Sequence, residues 1–212
     1  MTDDAVTVER STMPTLVVAS RNPAKAEELA RLLAEEERLA GVTVRTAADL
    51  DLPPVEETGE TFAANAETKA RQSATAAGLP AVADDSGLVV EALGGAPGVR
   101  SARYAGGHGD DEANLHRVLE QMEGVTDRTA RFVCAAALAT PDGRAWIARG
   151  EVSGQLIDEP RGEGGFGYDP IFVPDGDTRT TAEMSPQEKD AISHRARALR
   201  ALRGAIAEAL ER

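Results

Sequence analysis

The sequence predicts a single α/β domain built on a mixed β-sheet, and three observations predict it. Short apolar runs alternate with amphipathic helical patterns through the first half of the chain, as strands wound with helices require. Later, Asp142-Gly143 joins two long extended runs, a hairpin signal that makes part of the sheet antiparallel. No internal repeat, low-complexity linker or charge block divides the 212 residues, a length that one sizeable core accommodates.

The elements follow in order. Residues 1–14 (MTDDAVTVERSTMP) lack the basic start and apolar stretch of a signal peptide and are expected to be a disordered polar leader, leaving 15–212 as the domain. Thr15–Ala19 (TLVVA) suits a buried strand. Asn22 is a good N-cap and Pro23 a good first helical residue for a helix with Ala26, Leu29, Ala30 and Leu33 on one face. A second helix is expected over Glu60–Ala77, stopped by Gly78 and Pro80. Ala81–Ala83 and Leu88–Val90 read as two strand pieces around a turn at Asp84, Asp85, Ser86 and Gly87. A third helix is expected from about Asp110 to Met122, with Leu115, Val118, Leu119 and Met122 inward. Strands over Ala130–Thr140 and Arg144–Ile157 form the hairpin, and 171–173 reads as a short strand between prolines. Ser185-Pro-Gln-Glu188 is a capping box opening a helical C-terminus.

Composition narrows the function. Aromatics are only 3%, so alanine, valine and leucine must build the core. A net charge of −13 argues against gripping a nucleic-acid backbone, though a few lysines, helix N-termini and a carboxylate-held divalent metal can still hold a nucleotide. No apolar run approaches the roughly 20 residues that span a bilayer. The lone Cys134, in an apolar run, reads as a buried thiol of a cytoplasmic protein and can build neither a disulfide framework nor a cysteine zinc site.

Five segments carry residue types suited to chemistry. In SRNPAK, Ser20–Lys25, a strand turns into a helix whose unpaired N–H groups and dipole face one spot, and Lys25 in the first turn suits a phosphate better than it suits the helix. In VEETGETFAANAETKA, Glu56, Glu57 and Glu60 lie where a helix start favours acids, and Asn65 and Lys69 share a helical face; a surface pair would look the same. In AVADDSGLVV, two aspartates sit among apolar residues, where a carboxylate needs a partner or a metal. Neighbouring strand residues face opposite ways, so one aspartate is expected to dominate a Mg²⁺ site and the other to anchor the turn or a water. SHRARAL contributes His194 and Arg195, which alone read as a solvated face. In RGEGGFGYDPIFVP, Gly162, Gly164 and Gly167 satisfy G-x-G-x-x-G. A proline-bracketed β-run follows where a dinucleotide site needs a helix, so a Rossmann turn is excluded.

Together, SRNPAK, EETGETFAANAETKA, ADDSGLVVEALGGAPGVRSARYAG, GGFGYDPIFVP and SPQEKDAISHRARAL, spanning Ser20 to Leu199, resemble the inosine triphosphate pyrophosphatase family. The resemblance implies an elongated two-lobed α/β fold with a long mixed central sheet flanked by helices. It also implies a nucleotide cleft between the lobes, and a homodimer. It implies Mg²⁺-dependent hydrolysis of ITP, dITP and XTP to the monophosphate and pyrophosphate, which cleanses the nucleotide pool. Carried over by position, Ser20, Arg21, Asn22, Pro23, Ala24 and Lys25 would cradle the triphosphate, and Lys69 would add a phosphate contact. Glu56 and Asp85 would hold the metal. Asp85 would orient or deprotonate water, with Asp84 and Ser86 beside it. Phe166, Gly167, Tyr168 and Asp169 would form the base pocket, the glycines passing close to the purine, Phe166 stacking on it and Asp169 supplying a polar edge. Lys189, His194 and Arg195 would complete that pocket. Two alternatives compete: a Maf-like pyrophosphatase for other modified nucleotides, and a non-catalytic nucleotide sensor.

Overall fold

The computed structural model describes residues 13–107 and 109–211. The leader expected over 1–14 lies, apart from Met13 and Pro14, outside the described residues. Six strands form one mixed sheet: β1 (Thr15–Val18), β2 (Thr43–Thr46), β3 (Ala81–Val90), β4 (Thr129–Ala139), β5 (Ala145–Leu156) and β6 (Phe172–Pro174), in the order β2-β1-β3-β4-β5-β6. β1 runs parallel to β2 and β3, and β3 to β6 are successively antiparallel. The α-helices among the described residues are α1 (Pro23–Ala34), α2 (Phe62–Ala77), α3 (Asp111–Gln121), α4 (Pro186–Ile192) and α5 (His194–Leu210). None of the described helices is long and apolar enough to cross a membrane.

The long strands make the molecule elongated. β3, β4 and β5 have 10, 11 and 12 residues, which is roughly 33–40 Å at about 3.3 Å per residue. At one end, Leu16, Val18, Val82, Cys134, Ala136 and Leu138 pack under α1 and α5. On the opposite face, Ala81, Ala83, Ala135, Ala137 and Ala139 meet Ala66, Ala70 and Ala74 of α2. An alanine-on-alanine layer needs no large side chains, which explains how so few aromatics suffice. At the far end, Leu88, Val90, Phe172, Ile171 and Tyr168 pack against Leu115, Val118 and Met122 of α3. These cores define two lobes joined by strands running through both.

β1 pairs with β3 only at Val17↔Ala81 and Val18↔Val82, whereas β4 pairs with β3 over its whole length. Beyond Val82 the chain of β1 departs into the Ser20–Lys25 turn, and Asp84, Asp85 and Ser86 line the opening left between the lobes.

One expectation is corrected, and two further features were not foreseen. Residues 81–90 form one continuous strand, not two pieces about a turn, because β4 satisfies the backbone throughout. Gly87 belongs inside that strand: a Cβ there would lie 2.2 Å from Ser101 Oγ and 2.7 Å from the Gly98 carbonyl oxygen. The edge strand β2, with the short and largely exposed sequence TVRT, has no apolar pattern to announce it. The C-terminal helical region breaks at Ser193, whose ψ of 131° ends α4 and whose hydroxyl caps α5 at Ala196. The other boundaries shift by a residue or two. Thr61 caps α2, Gly78 ends it at φ 64°, and the Ser185–Glu188 capping box forms at α4.

Candidate active site

Adjacent positions on a strand face opposite ways, and β3 uses this to aim two carboxylates at different helices. Asp84 faces α1 and α5. Its Oδ1 and Oδ2 each lie 3.0 Å from Lys25 Nζ, and Oδ2 accepts from Arg195 Nε at 3.1 Å. Arg195 also reaches Glu28 at 3.4 Å. Asp85 faces α2, where Asn65 Nδ2 donates to its Oδ2 at 2.8 Å, while the Ser86 N–H donates to Oδ1 at 2.9 Å. Lys69, one turn along α2, bonds Glu57 at 2.5 Å and the Asp84 carbonyl at 2.7 Å.

The two acids differ in proton affinity. Burial alone would raise Asp84, but Arg195, Lys25 and then Lys69 outweigh it and hold the carboxyl well below the usual range. Burial, with a contribution from Glu57, pushes Asp85 up against the opposing effects of Asn65 and Lys69. Asp84 is therefore a fixed anion, and Asp85 the better proton acceptor.

These groups line a cleft of about 970 Å³ that also takes in Asn22, Glu28, Glu56, Glu57, Ser86 and Phe166. A smaller cavity of about 140 Å³ shares Ser86, Phe166 and Arg195 with it and continues to Gly167, Tyr168, Asp169, Lys189 and His194. The volume of the cleft suits a drug-sized or nucleotide-sized ligand. Phe166 is 65% exposed at the junction, with Lys189 Nζ 4.7 Å from its ring centre. His194 stacks on Phe132 at 5.1 Å between centroids. Burial first, then the charges of Arg195 and Lys189, push His194 down to about 3, so the ring is neutral at pH 7.

The residues singled out from sequence are not placed alike. Asn22, Lys25, Glu56, Lys69, Asp84, Asp85, Ser86, Phe166 and Arg195 line the cleft, and Gly167, Tyr168, Asp169, Lys189 and His194 line the inner cavity. Ser20 supports the turn by accepting from the Asn22 N–H at 3.1 Å, and Arg21 turns away to the Leu52 carbonyl. Pro23 and Ala24 open α1. Tyr168 donates its hydroxyl to the Ser101 carbonyl within the far core. Asp169 is already matched by three donors: the Lys189 ammonium, the Phe166 N–H at 2.8 Å and the Thr181 hydroxyl at 2.8 Å.

The close approaches of the glycine loop are to the protein itself. A Cβ at Gly165, whose φ is 73°, would meet Asp169 Oδ2 at 2.1 Å, and one at Gly162 would meet the Ala182 backbone. Only a single 3-10 turn, Asp169–Ile171, and then β6 follow it, not an α-helix.

Sequence reasoning passed over Glu28, Phe132 and Thr181. Glu28 follows Lys25 by three residues, a helical spacing that places both on one face. Nothing local marks Phe132 or Thr181, which reach the site only through the sheet and the returning chain.

Asp85 and Glu56 are two of the carboxylates that line this cleft, and among the described residues no group of three or more His, Cys, Asp or Glu could hold a metal ion. That donor set fits Mg²⁺, which binds through one or two carboxylates plus substrate phosphates and water rather than an all-protein cage.

Comparison with known proteins agrees over nearly the whole chain. A curated dITP/XTP pyrophosphatase of Streptomyces avermitilis is 51% identical over 203 residues, covering 93% of this chain and 100% of that protein. The dITP/XTP pyrophosphatase of Mycobacterium tuberculosis is 53% identical over 194 residues, covering 90% and 94%. The solved structure of a HAM1 protein from Coxiella burnetii superposes with a TM-score of 0.85 at 44% identity, covering 93% of this chain and 100% of that one. The Staphylococcus aureus Ham1 protein gives 0.82 at 39%, covering 91% and 97%. The model of the Ham1 family matches residues 16–205, and the chain belongs to that family.

Proposed function

We propose that this protein hydrolyses non-canonical purine nucleoside triphosphates, ITP, dITP and XTP, to the monophosphate and pyrophosphate, and so removes them from the nucleotide pool. The observation that carries the reading is the pair Asp84 and Asp85, facing opposite helices yet lining one cleft with Lys25, Lys69 and Arg195. The names of the curated relatives support it.

Cleavage between the α and β phosphates needs an in-line water, a proton acceptor and cations for the leaving pyrophosphate. Asp85, which lines the cleft where the phosphates would lie, accepts the water proton. Asp84 stays anionic and holds Lys25 and Arg195 in place until the nucleotide competes for them. Lys25, Lys69 and the turn amides of Ser20–Lys25 then meet the phosphate charge. Asp85 and Glu56 would hold Mg²⁺, which polarises the phosphate and lowers the pKa of a bound water.

The base enters beside Phe166, which stacks on it. Arg195 and Lys189 carry only donors, and neutral His194 can offer one. Donors suit the 6-oxo group of hypoxanthine and xanthine and oppose the 6-amino group of adenine. Asp169 acts through Lys189, since its own oxygens are already matched.

The test is hydrolysis of ITP, XTP, ATP and GTP by the purified chain, with Mg²⁺ and with chelator, measuring pyrophosphate and phosphate separately. Pyrophosphate from ITP and XTP, abolished by chelation, is expected. Free phosphate would mean a γ-phosphatase, and tight ITP binding without turnover would mean a sensor. The homodimer and cytoplasmic setting belong to the same proposal, and light scattering that returned the mass of one chain would remove the dimer.

A further inference from the structure

We propose that Asn65 is a positioning residue that ties the loop carrying Glu56 and Glu57 to the Asp85 carboxylate, fixing the separation of the acids in the cleft. The inference rests on the pyrophosphatase reading above.

Asn65 is 1% exposed, a polar side chain inside the alanine layer between α2 and the sheet. A buried amide is costly unless both ends are matched. Here both are. Its Oδ1 accepts from the Gly59 N–H at 2.7 Å, and its Nδ2 donates to Asp85 Oδ2 at 2.8 Å. The orientation follows from chemistry, because a backbone N–H offers only a donor and a carboxylate only acceptors. Aspartate would repel Asp85, serine would not span both partners, and alanine would match neither.

Gly59 is the other half of the device. A Cβ at Gly59 would lie 2.6 Å from Asn65 Oδ1 and 3.0 Å from Ala64 Cβ, so only glycine lets the loop approach this closely. The loop then carries Glu56 and Glu57 into the same cleft as Asp85. Asp85 Oδ1 is separately held by the Ser86 N–H at 2.9 Å. Asn65 therefore holds one oxygen of the carboxylate and, through Gly59, the loop bearing its neighbouring acids. Its contacts reach no part of the base cavity and neither Lys25 nor Arg195.

The test uses Asn65→Ala, which removes both bonds, and Gly59→Ala, which forces the loop away from the opposite end. With ITP, each variant is expected to lose about 10- to 100-fold in kcat, the usual cost of losing an outer partner of a metal-site ligand. Affinity for a non-hydrolysable α,β-methylene ITP, measured in chelator, should stay near the wild-type value, since Lys25 and the base cavity are untouched and Lys69, though it loses a fixed Glu57, keeps its bond to the Asp84 carbonyl. The double variant should fall no further than the worse single one, because both break one tie. Wild-type kcat in either folded variant, or multiplying losses in the double, would overturn the proposal. Loss of analogue binding in step with kcat would reduce Asn65 to a structural residue and overturn it too.

Amide exchange over residues 54–60 reads the tie without turnover. It should quicken in both variants, and unchanged exchange would refute the tie. An inert wild-type enzyme would sink the pyrophosphatase reading while leaving the exchange result standing.

Discussion

Replacing Asp84 by asparagine keeps the shape of the side chain and removes its charge, which makes it a sharp probe of the cleft. Asp84 is 8% exposed and takes two contacts from Lys25 at 3.0 Å and one from Arg195 at 3.1 Å. Asparagine retains one acceptor oxygen, so one cation keeps a neutral partner while the other faces an NH₂ donor. Removing one member of a buried ion pair costs about 3–5 kcal/mol. The lower end applies here, because Lys25 is 27% exposed and can turn to water and Arg195 keeps Glu28 at 3.4 Å. A loss of about 3 kcal/mol corresponds to a melting temperature roughly 6–12 °C lower for a chain of this size.

The sign with pH follows from the depressed carboxyl. Its contribution is present above the unfolded value near 3.8 and disappears as pH falls through the lower native value. Wild type and Asp84→Asn should therefore differ fully at pH 7 and converge only in strong acid. Urea unfolding by circular dichroism should show the full difference at pH 7 and only part of it lost at pH 3, which lies between the unfolded and the native values. A variant as stable as wild type at pH 7 would refute the claim that Asp84 is the anion holding Lys25 and Arg195.

Further outcomes follow from the same geometry. Asp85→Asn should abolish turnover while leaving the melting temperature near wild type, since asparagine can still accept from Asn65; substantial residual kcat would remove Asp85 as the proton acceptor. Phe166→Ala should leave stability unchanged at this exposed site but weaken ITP binding by about 5- to 100-fold, the scale of one base stacking on an aromatic ring; an unchanged KM would displace Phe166 from the base. Gly150→Ala would place a Cβ 2.1 Å from the His194 carbonyl oxygen and 2.7 Å from the Ala198 nitrogen. Because both are backbone atoms of α5, overpacking of about 1–3 kcal/mol is expected in chemical denaturation, with a parallel loss of base selectivity as His194 and Arg195 move. For His194, the unfolded chain binds a proton near pH 6.5 and the native chain only near 3. Stability should therefore fall as pH drops between these values, by up to about 1.4 kcal/mol per pH unit, and His194→Gln should flatten that slope.

The sequence alone determined the local grammar and the list of chemistry-bearing residues. Some helix ends were legible because caps are local: Gly78 ends α2, and Ser185 with Glu188 opens α4 through bonds spanning three residues, whereas the Thr61 cap of α2 was not foreseen. The hairpin at Asp142-Gly143 was legible for the same reason. The opposed directions of Asp84 and Asp85 followed from strand geometry, although the continuity of β3 did not. That continuity depends on β4, some fifty residues away in sequence, pairing along all of it.

Tertiary structure decided which polar residues meet one another in and around the cleft. Asn65 and Lys69 share a helical face in any reading, but only the packing of α2 on the sheet buries Asn65 against Asp85 and brings Lys69 over the Asp84 carbonyl. Glu57 and Glu56 look alike in sequence, yet Glu57 alone of the two pairs with Lys69. Asp169 reads from sequence only as a polar edge, and it is the returning chain that brings Thr181 and Lys189 to it. The physical reason is common to all three. A buried polar group takes its role from whichever partners complete its hydrogen bonds, and here the deciding partners lie 12 positions away for Lys69 and Glu57 and 20 for Asn65 and Asp85.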